Sequence, residues 1–92
     1  MTRTIPSLED YATSRAAFLA SAERHGATLE HHVHPRTGPD GGELATDVAR
    51  LGPPPGAARR VVVVASGTHG VEGHAGSGLQ GLVLDDPRTA AL

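Results

Sequence analysis

The chain has 92 residues, of which 38% are hydrophobic, and ten acidic residues against eight basic ones give a formal net charge of −2 at pH 7. This length allows at most one small domain with a thin core. The basic residues are all arginines and are scattered among the acids, so we expect no nucleic-acid partner, and the lack of lysine excludes a GxxxxGK[ST] phosphate loop and a Schiff-base lysine.

The sequence contains no cysteine, which excludes disulfides, thiolate metal sites and a cysteine nucleophile. A bound metal would therefore need His, Asp or Glu ligands. The N-terminal "MTRTIPSLED" has no apolar signal region, and the longest apolar run, residues 61–65, is far shorter than the ~20 residues that span a bilayer. We expect a cytoplasmic protein that does not bind membranes.

The first predicted element is a helix over residues 7–25. Ser7 is a suitable N-cap, and Gly26 is a suitable stop signal. Between them, apolar residues recur at helical spacing and are interrupted by Arg15, namely Leu8, Tyr11, Phe18, Leu19 and Ala22.

Two strands follow, over residues 28–34 and 43–51. "ATLEHHVH" alternates until Pro35 ends it, "PRTGPDGG" has turn chemistry, and "ELATDVARL" alternates again. The alternation puts His32 and His34 on one face and His31 on the other. The three histidines therefore do not converge as metal ligands would, and solvated strand positions are favoured for them.

A proline-rich connector, "GPPPGAARR", leads to a third predicted strand over residues 61–66. Its apolar run is uninterrupted, which is typical of a strand covered by helices on both faces of a largely parallel sheet. A helix over about residues 71–85 follows, and Pro87 prevents its continuation. We expect an α/β fold, in which helices flank a mixed sheet and the ligand lies at the carboxyl ends of the strands.

His69 and Glu72 are the candidate metal ligands. They lie three residues apart between the third strand and the second helix, and Gly67, Gly70 and Gly73 allow the chain to bend there. Imidazole nitrogen and carboxylate oxygen are ligands of catalytic zinc, whose bound water becomes a hydrolytic nucleophile. In the alternative interpretation, Glu72 is a favourable acid in a first helical turn and His69 is a polar loop residue.

Two further features of this region have alternative interpretations. Gly76, Gly78 and Gly81 satisfy the GxGxxG dinucleotide fingerprint, but they follow the strand too late, and small residues that let a helix pack closely on a sheet are favoured instead. His74 has two interpretations. It either supports the metal ligands or faces the substrate in the pocket, or it is an ordinary surface histidine.

A family resemblance connects these segments. "SGTHGVEGHAGSGLQ", "HPRTGPDGGELATDVARLGP" and "YATSRAAFLASAERHGA" together resemble an uncharacterised bacterial branch, a domain of unknown function, of the zinc carboxypeptidase superfamily, which also contains aspartoacylase and succinylglutamate desuccinylase. The likeness runs from about Pro6 to Leu84. It implies an α/β fold with zinc bound by His69 and Glu72, and hydrolysis of an amide bond next to a carboxylate-bearing group in a small peptide or N-acyl amino acid.

The resemblance also implies residues that this sequence lacks. In the family, a third ligand, a glutamate general base and a substrate-binding arginine come later in the chain, and the sequence departs from the family at His74, where an aromatic residue is expected. We therefore expect an N-terminal fragment that is inactive alone and that self-associates through an unpaired strand edge. The alternatives are a small non-catalytic module that dimerises through that strand, and a dinucleotide-binding half-domain.

Overall fold

The computed structural model describes residues 10–67 and 73–89. In chain order the elements are α1 (Tyr11–Arg24), β1 (Thr28–Thr37), β2 (Glu43–Arg50), a short 3-10 helix (Pro55–Ala57) and α2 (Gly73–Asp85). The two helices and the two-stranded antiparallel sheet confirm the predicted α/β class. In the described part of the chain, neither helix has the length and apolar content needed to cross a bilayer.

Helix α1 is defined by a cap at each end. Asp10 has an extended backbone (φ −140°, ψ 169°) and its carboxylate accepts a hydrogen bond from the Thr13 amide at 2.7 Å, so it is the N-cap. The predicted start at Ser7 with Asp10 inside the helix is therefore wrong, and residues 7–9 lie outside the described part. At the other end, Gly26 adopts a left-handed φ of 68°, as predicted for a glycine stop.

The hydrogen bonds after α1 form a Schellman motif. The amide of Gly26 donates to the Glu23 carbonyl, and the amide of Ala27 donates to the Ala22 carbonyl, both at 3.0 Å. These bonds satisfy carbonyls that the last helical turn leaves unpaired. They also turn the chain directly into β1, which begins one residue later at Thr28.

The hairpin agrees with the two predicted strands except at one end. The register pairs Thr28 with Arg50, His31 with Asp47 and Val33 with Ala45. Pro35 does not end β1, which continues to Thr37 through an irregularity between Val33 and Thr37. Proline is tolerated there because an irregular position on an edge strand needs no ladder hydrogen bond from its nitrogen.

The predicted strand over residues 61–66 does not form in the described part of the chain. Residues 61–67 belong to no helix or strand, and Val61, Val62, Val63 and Val64 are 78, 75, 82 and 51% exposed. A strand exists only when a neighbour accepts its ladder bonds, and the described strands, β1 and β2, pair with each other. The run of β-branched valines favours a strand here, but it does not supply the neighbouring strand that would pair with it.

Helix α1 packs on β2 with one side and on α2 with another. The Tyr11 hydroxyl donates to the Ala45 carbonyl at 2.8 Å and accepts from the Ala45 amide at 2.7 Å, so it takes both groups that a neighbouring strand would use. Among the described residues, the buried ones on α1 are Ser14, Ser21 and Ala22. The apolar core of this part is therefore thin, as its length predicts.

Tyr11→Phe tests the attachment of α1 to the edge of β2. The variant keeps the ring and leaves the Ala45 amide and carbonyl without the hydroxyl, so we expect the free energy of unfolding to fall by about 1 kcal/mol. Thr13→Val is the matched control, because it removes a hydroxyl from an exposed residue of the same helix. Urea denaturation measures both, and equal stability of the two variants would contradict a role for the Tyr11 hydroxyl.

Candidate metal centre

The predicted metal ligands His69 and Glu72 lie outside the described residues, and so does Gly70. The residues on both sides of them are described. Gly67 is the last residue before residues 68–72, and Gly73 is the first residue of α2. His74 is the second residue of α2, and its side chain is outside the described part.

Gly67 turns the chain at the point where the valine run ends. Its φ is 70°, in the left-handed region that favours glycine because no Cβ clashes there. Gly67 therefore has the backbone conformation that the predicted bend would use at its first glycine. A side chain at this position would strain the backbone even though no other atom crowds it.

Gln80 of α2 fixes the chain that enters residues 68–72. Its side-chain amide nitrogen donates to the Val64 carbonyl at 2.7 Å, and its amide oxygen accepts from the Ser66 hydroxyl at 2.8 Å. The Ser66 hydroxyl also lies 3.5 Å from the Ser77 hydroxyl, and a Cβ placed on Gly76 would lie 3.4 Å from the Ser66 Cβ. The chain is therefore held on α2 just before residues 68–72, and α2 itself begins just after them.

The glycines of the GxGxxG pattern lie inside α2, so they do not form a phosphate-binding turn. Gly76, Gly78 and Gly81 are helical residues of Gly73–Asp85. Gly78 and Gly81 line a narrow cavity of about 170 Å³ against Ala17 and Ser21 of α1. The dinucleotide-fingerprint interpretation is wrong, because that motif needs its glycines in the turn between strand and helix. Small residues here allow close packing, and the neighbouring element is α1.

A polar cluster that the sequence analysis missed joins α1 to the hairpin. Arg15 donates from Nε and Nη2 to the two Asp47 carboxylate oxygens at 2.8 and 3.2 Å, and from Nη1 to Glu43 at 2.7 Å. His31, the cross-strand partner of Asp47, donates from Nδ1 to the same carboxylate at 2.6 Å. One feature of the sequence pointed to this cluster. Arg15 interrupts the apolar stripe of the first predicted helix, and an acidic residue lies on the hairpin that follows it.

The Asp47 side chain is only 6% exposed, which makes its protonation state sensitive to its partners. Burial alone would raise the pKa of the Asp47 carboxyl, but the hydrogen bonds from Arg15 and His31 outweigh burial and lower this pKa below its ordinary value. The same bonds to Asp47 and Glu43 raise the pKa of Arg15. The Asp47 carboxylate and the Arg15 guanidinium therefore remain ionised at neutral pH and hold α1 on the sheet.

A second polar cluster joins the C-terminal ends of the two helices. The Asp85 carboxylate accepts from the Ser21 hydroxyl at 2.8 Å, from Arg24 at 3.2 Å and from His25 at 3.0 Å. The hydrogen bonds from Ser21 and His25 lower the pKa of Asp85. This cluster fixes α2, the helix that begins directly after residues 68–72.

The strand histidines agree with their prediction as exposed residues that do not converge. His31 pairs with Asp47, His32 lies 3.4 Å from the Glu30 carboxylate, and His34 Nδ1 accepts from the Arg36 amide at 3.0 Å. Within residues 10–67 and 73–89, no group of three or more His, Asp or Glu side chains is arranged to hold a metal ion. An open cavity of about 520 Å³ lies between this hairpin and Gly67, lined in part by His32, His34 and Thr46.

Comparison with known families gives one match. The family described as "Protein of unknown function (DUF2817)" matches residues 8–92, which is most of the chain. The chain is a DUF2817 protein. No curated protein and no solved structure matches it. The DUF2817 match includes α1, the hairpin, the candidate ligands His69 and Glu72, and α2.

Acidification should destabilise this DUF2817 chain through its two clustered aspartates. Because the folded-state pKa values of Asp47 and Asp85 are depressed, their contribution is present above the unfolded pKa of about 4 and is lost as pH falls through the folded values. We expect the urea midpoint to drop between about pH 5 and pH 2. Asp47→Asn should reduce this drop and cost about 2 kcal/mol at pH 7.

Asp40→Asn is the control for Asp47→Asn. Asp40 is an exposed residue of the hairpin loop whose carboxylate accepts from the Gly42 amide at 2.9 Å, a bond that an asparagine oxygen also makes. We expect its pH profile to match the parent chain. If Asp47→Asn also keeps the parent profile, the proposed origin of the acid sensitivity is wrong.

Gly81→Ala tests whether a glycine is needed at this position of α2. A Cβ at Gly81 has open space around it, so alanine should stabilise α2 by up to about 1 kcal/mol through its higher helix propensity. Gly41→Ala is the contrasting variant, because Gly41 has a φ of 82° that alanine adopts only with strain. Thermal unfolding should show a higher midpoint for the first and a lower one for the second, and destabilisation by Gly81→Ala would show instead that α1 packs too closely on this position to admit a Cβ.

Proposed function

We propose that this DUF2817 chain belongs to a zinc-dependent hydrolase and that His69 and Glu72 are two of its metal ligands. The substrate class is an amide or peptide bond next to a carboxylate-bearing group. The observation that carries the proposal is the contact of Ser66 and Val64 with Gln80 of α2. This contact fixes the chain just before His69 and Glu72, and α2 itself begins just after them.

The donor set fits zinc. One imidazole nitrogen and one carboxylate oxygen belong to the ligand types that zinc takes in hydrolases. When bound, zinc acidifies a coordinated water and polarises a carbonyl group. The chain's own contribution is to place both donors within the five residues between the left-handed Gly67 and the first residue of α2.

A small-molecule substrate would contact the described residues at the surface recess next to Gly67. Most of the residues that line this recess are exposed, so it is open to solvent and not an enclosed pocket. Its lining combines apolar surface from Val33, Pro35 and Leu44 with the imidazoles of His32 and His34. A peptide or an N-acyl amino acid offers both apolar and polar groups to such a surface.

Zinc titration of the purified chain tests the ligand assignment. Calorimetry at pH 7 should show one zinc ion per chain, and His69→Ala should weaken its affinity by at least about tenfold, the loss typical of even outer-shell partners. Glu72→Gln should weaken it similarly, because it keeps the size of the side chain and removes the charge that binds the cation.

His34→Ala is the matched control for the zinc titration. His34 is an exposed histidine whose Nδ1 already accepts a hydrogen bond from the Arg36 amide, so its loss should leave zinc affinity unchanged. Circular dichroism of all variants checks that α1 and α2 remain folded. Unchanged affinity in His69→Ala, or loss of zinc only in His34→Ala, would refute the assignment and favour adventitious binding on the hairpin.

A second candidate function is a self-associating module without catalysis. The exposed residues 61–64 favour it. It does not require a metal, so the zinc titration separates the two candidates, whereas both predict association.

A further inference from the structure

Residues 61–64, the valine segment, form an apolar surface that the described part of the chain leaves exposed. The four consecutive valines are between 51 and 82% exposed. β-branched residues are among the strongest strand formers, and here no strand is present. The segment therefore combines high strand propensity with an unpaired backbone.

The backbone of the valine segment is free over most of its length and anchored at its end. Within the described part of the chain, no backbone–backbone hydrogen bond involves residues 61–63. The Val64 carbonyl and the Ser66 hydroxyl are bonded to Gln80 of α2. Because one end is already fixed, pairing with another strand orders only a few residues and costs less conformational entropy than ordering a free tail.

The two described strands are poor partners for the valine segment. On β2, the Tyr11 hydroxyl occupies both the amide and the carbonyl of Ala45. On β1, Pro35 and the irregularity between Val33 and Thr37 interrupt the ladder. Both are devices that protect a sheet edge from further pairing, and the valine segment has neither a proline nor a charge within it.

A second copy of the same segment is a complementary partner in one orientation. Arg59 and Arg60 precede the valines directly. Parallel in-register pairing would place these arginines against each other, whereas symmetric antiparallel pairing centred on Val63 places Arg60 opposite Ser66 and Arg59 opposite Gly67 of the second copy. Like charges directly opposite each other on neighbouring strands are destabilising, so antiparallel pairing is favoured.

We propose that two copies of this chain associate by antiparallel pairing of their valine segments, with Val63 of each copy opposite Val63 of the other and Val62 opposite Val64. The arrangement has two-fold symmetry, which requires the central residue to lie opposite its own copy, and it uses the same surface on both copies. Because a pair of four-residue strands is small beside the ~1,200–2,000 Å² of a standard interface, the dimer is weak and its population depends on concentration.

Sedimentation equilibrium over a range of chain concentrations tests the association. The parent chain should shift from monomer to dimer as concentration rises, and Val62→Lys should shift the midpoint to at least about tenfold higher concentration, because it places a charge within the strand pair. Val83→Lys is the matched control, since Val83 is an apolar residue of α2 that is 43% exposed, and it should leave the midpoint unchanged.

The orientation is tested with single cysteines, which the native chain lacks. When Val62→Cys and Val64→Cys chains are mixed under mild oxidation, mixed disulfide dimers should form in preference to either homodimer. Preferential Val62→Cys homodimers would overturn the antiparallel arrangement. A parent chain that remains monomeric at all concentrations, or equal effects of Val62→Lys and Val83→Lys, would overturn the proposed surface.

Discussion

Arg15 makes the contact on which the described fold most depends, because it joins α1 to β2 through two carboxylates at once. A bidentate pair with a nearly buried Asp47 fixes both distance and angle, which a contact between apolar side chains does less strictly. Tyr11 lies one helical turn before Arg15 and bonds to the backbone of Ala45. The two residues hold the helix along residues 43–47, and Asp85 then holds α2 on α1.

This reliance on polar contacts follows from composition. The chain has one Phe, one Tyr and no Trp, and the apolar residue buried in its described part is Ala22. A core of small residues contributes little burial energy, so hydrogen-bonded ion pairs at the edges determine how the elements are arranged. Such an arrangement responds to acid, because its carboxylates must remain ionised to keep their partners.

The elements that are coded locally could be predicted from the sequence. Gly26 ends α1 through its own backbone freedom, and the alternation of "ATLEHHVH" and "ELATDVARL" gives the hairpin. Features that depend on distant partners could not be predicted. The valine run needs a neighbouring strand that no local pattern reveals, and the Asp47 cluster joins residues more than twenty positions apart in sequence, such as Glu43 and Arg15. For the candidate site, the bend at Gly67 was predictable, whereas its attachment through Gln80 was not.

One segment connects the two proposals. The valine segment delivers the chain to Gly67 and to the candidate ligands, and Gln80 holds its end on α2. Pairing of the valines and binding of a cation at His69 and Glu72 therefore act on neighbouring parts of one polypeptide. The most direct test of the central claim is diffraction from crystals of the zinc-loaded chain, with anomalous data at the zinc edge. The account predicts a zinc peak within about 2.0–2.2 Å of a His69 nitrogen and a Glu72 oxygen. A peak on the hairpin histidines alone, or none between these two side chains, would contradict it.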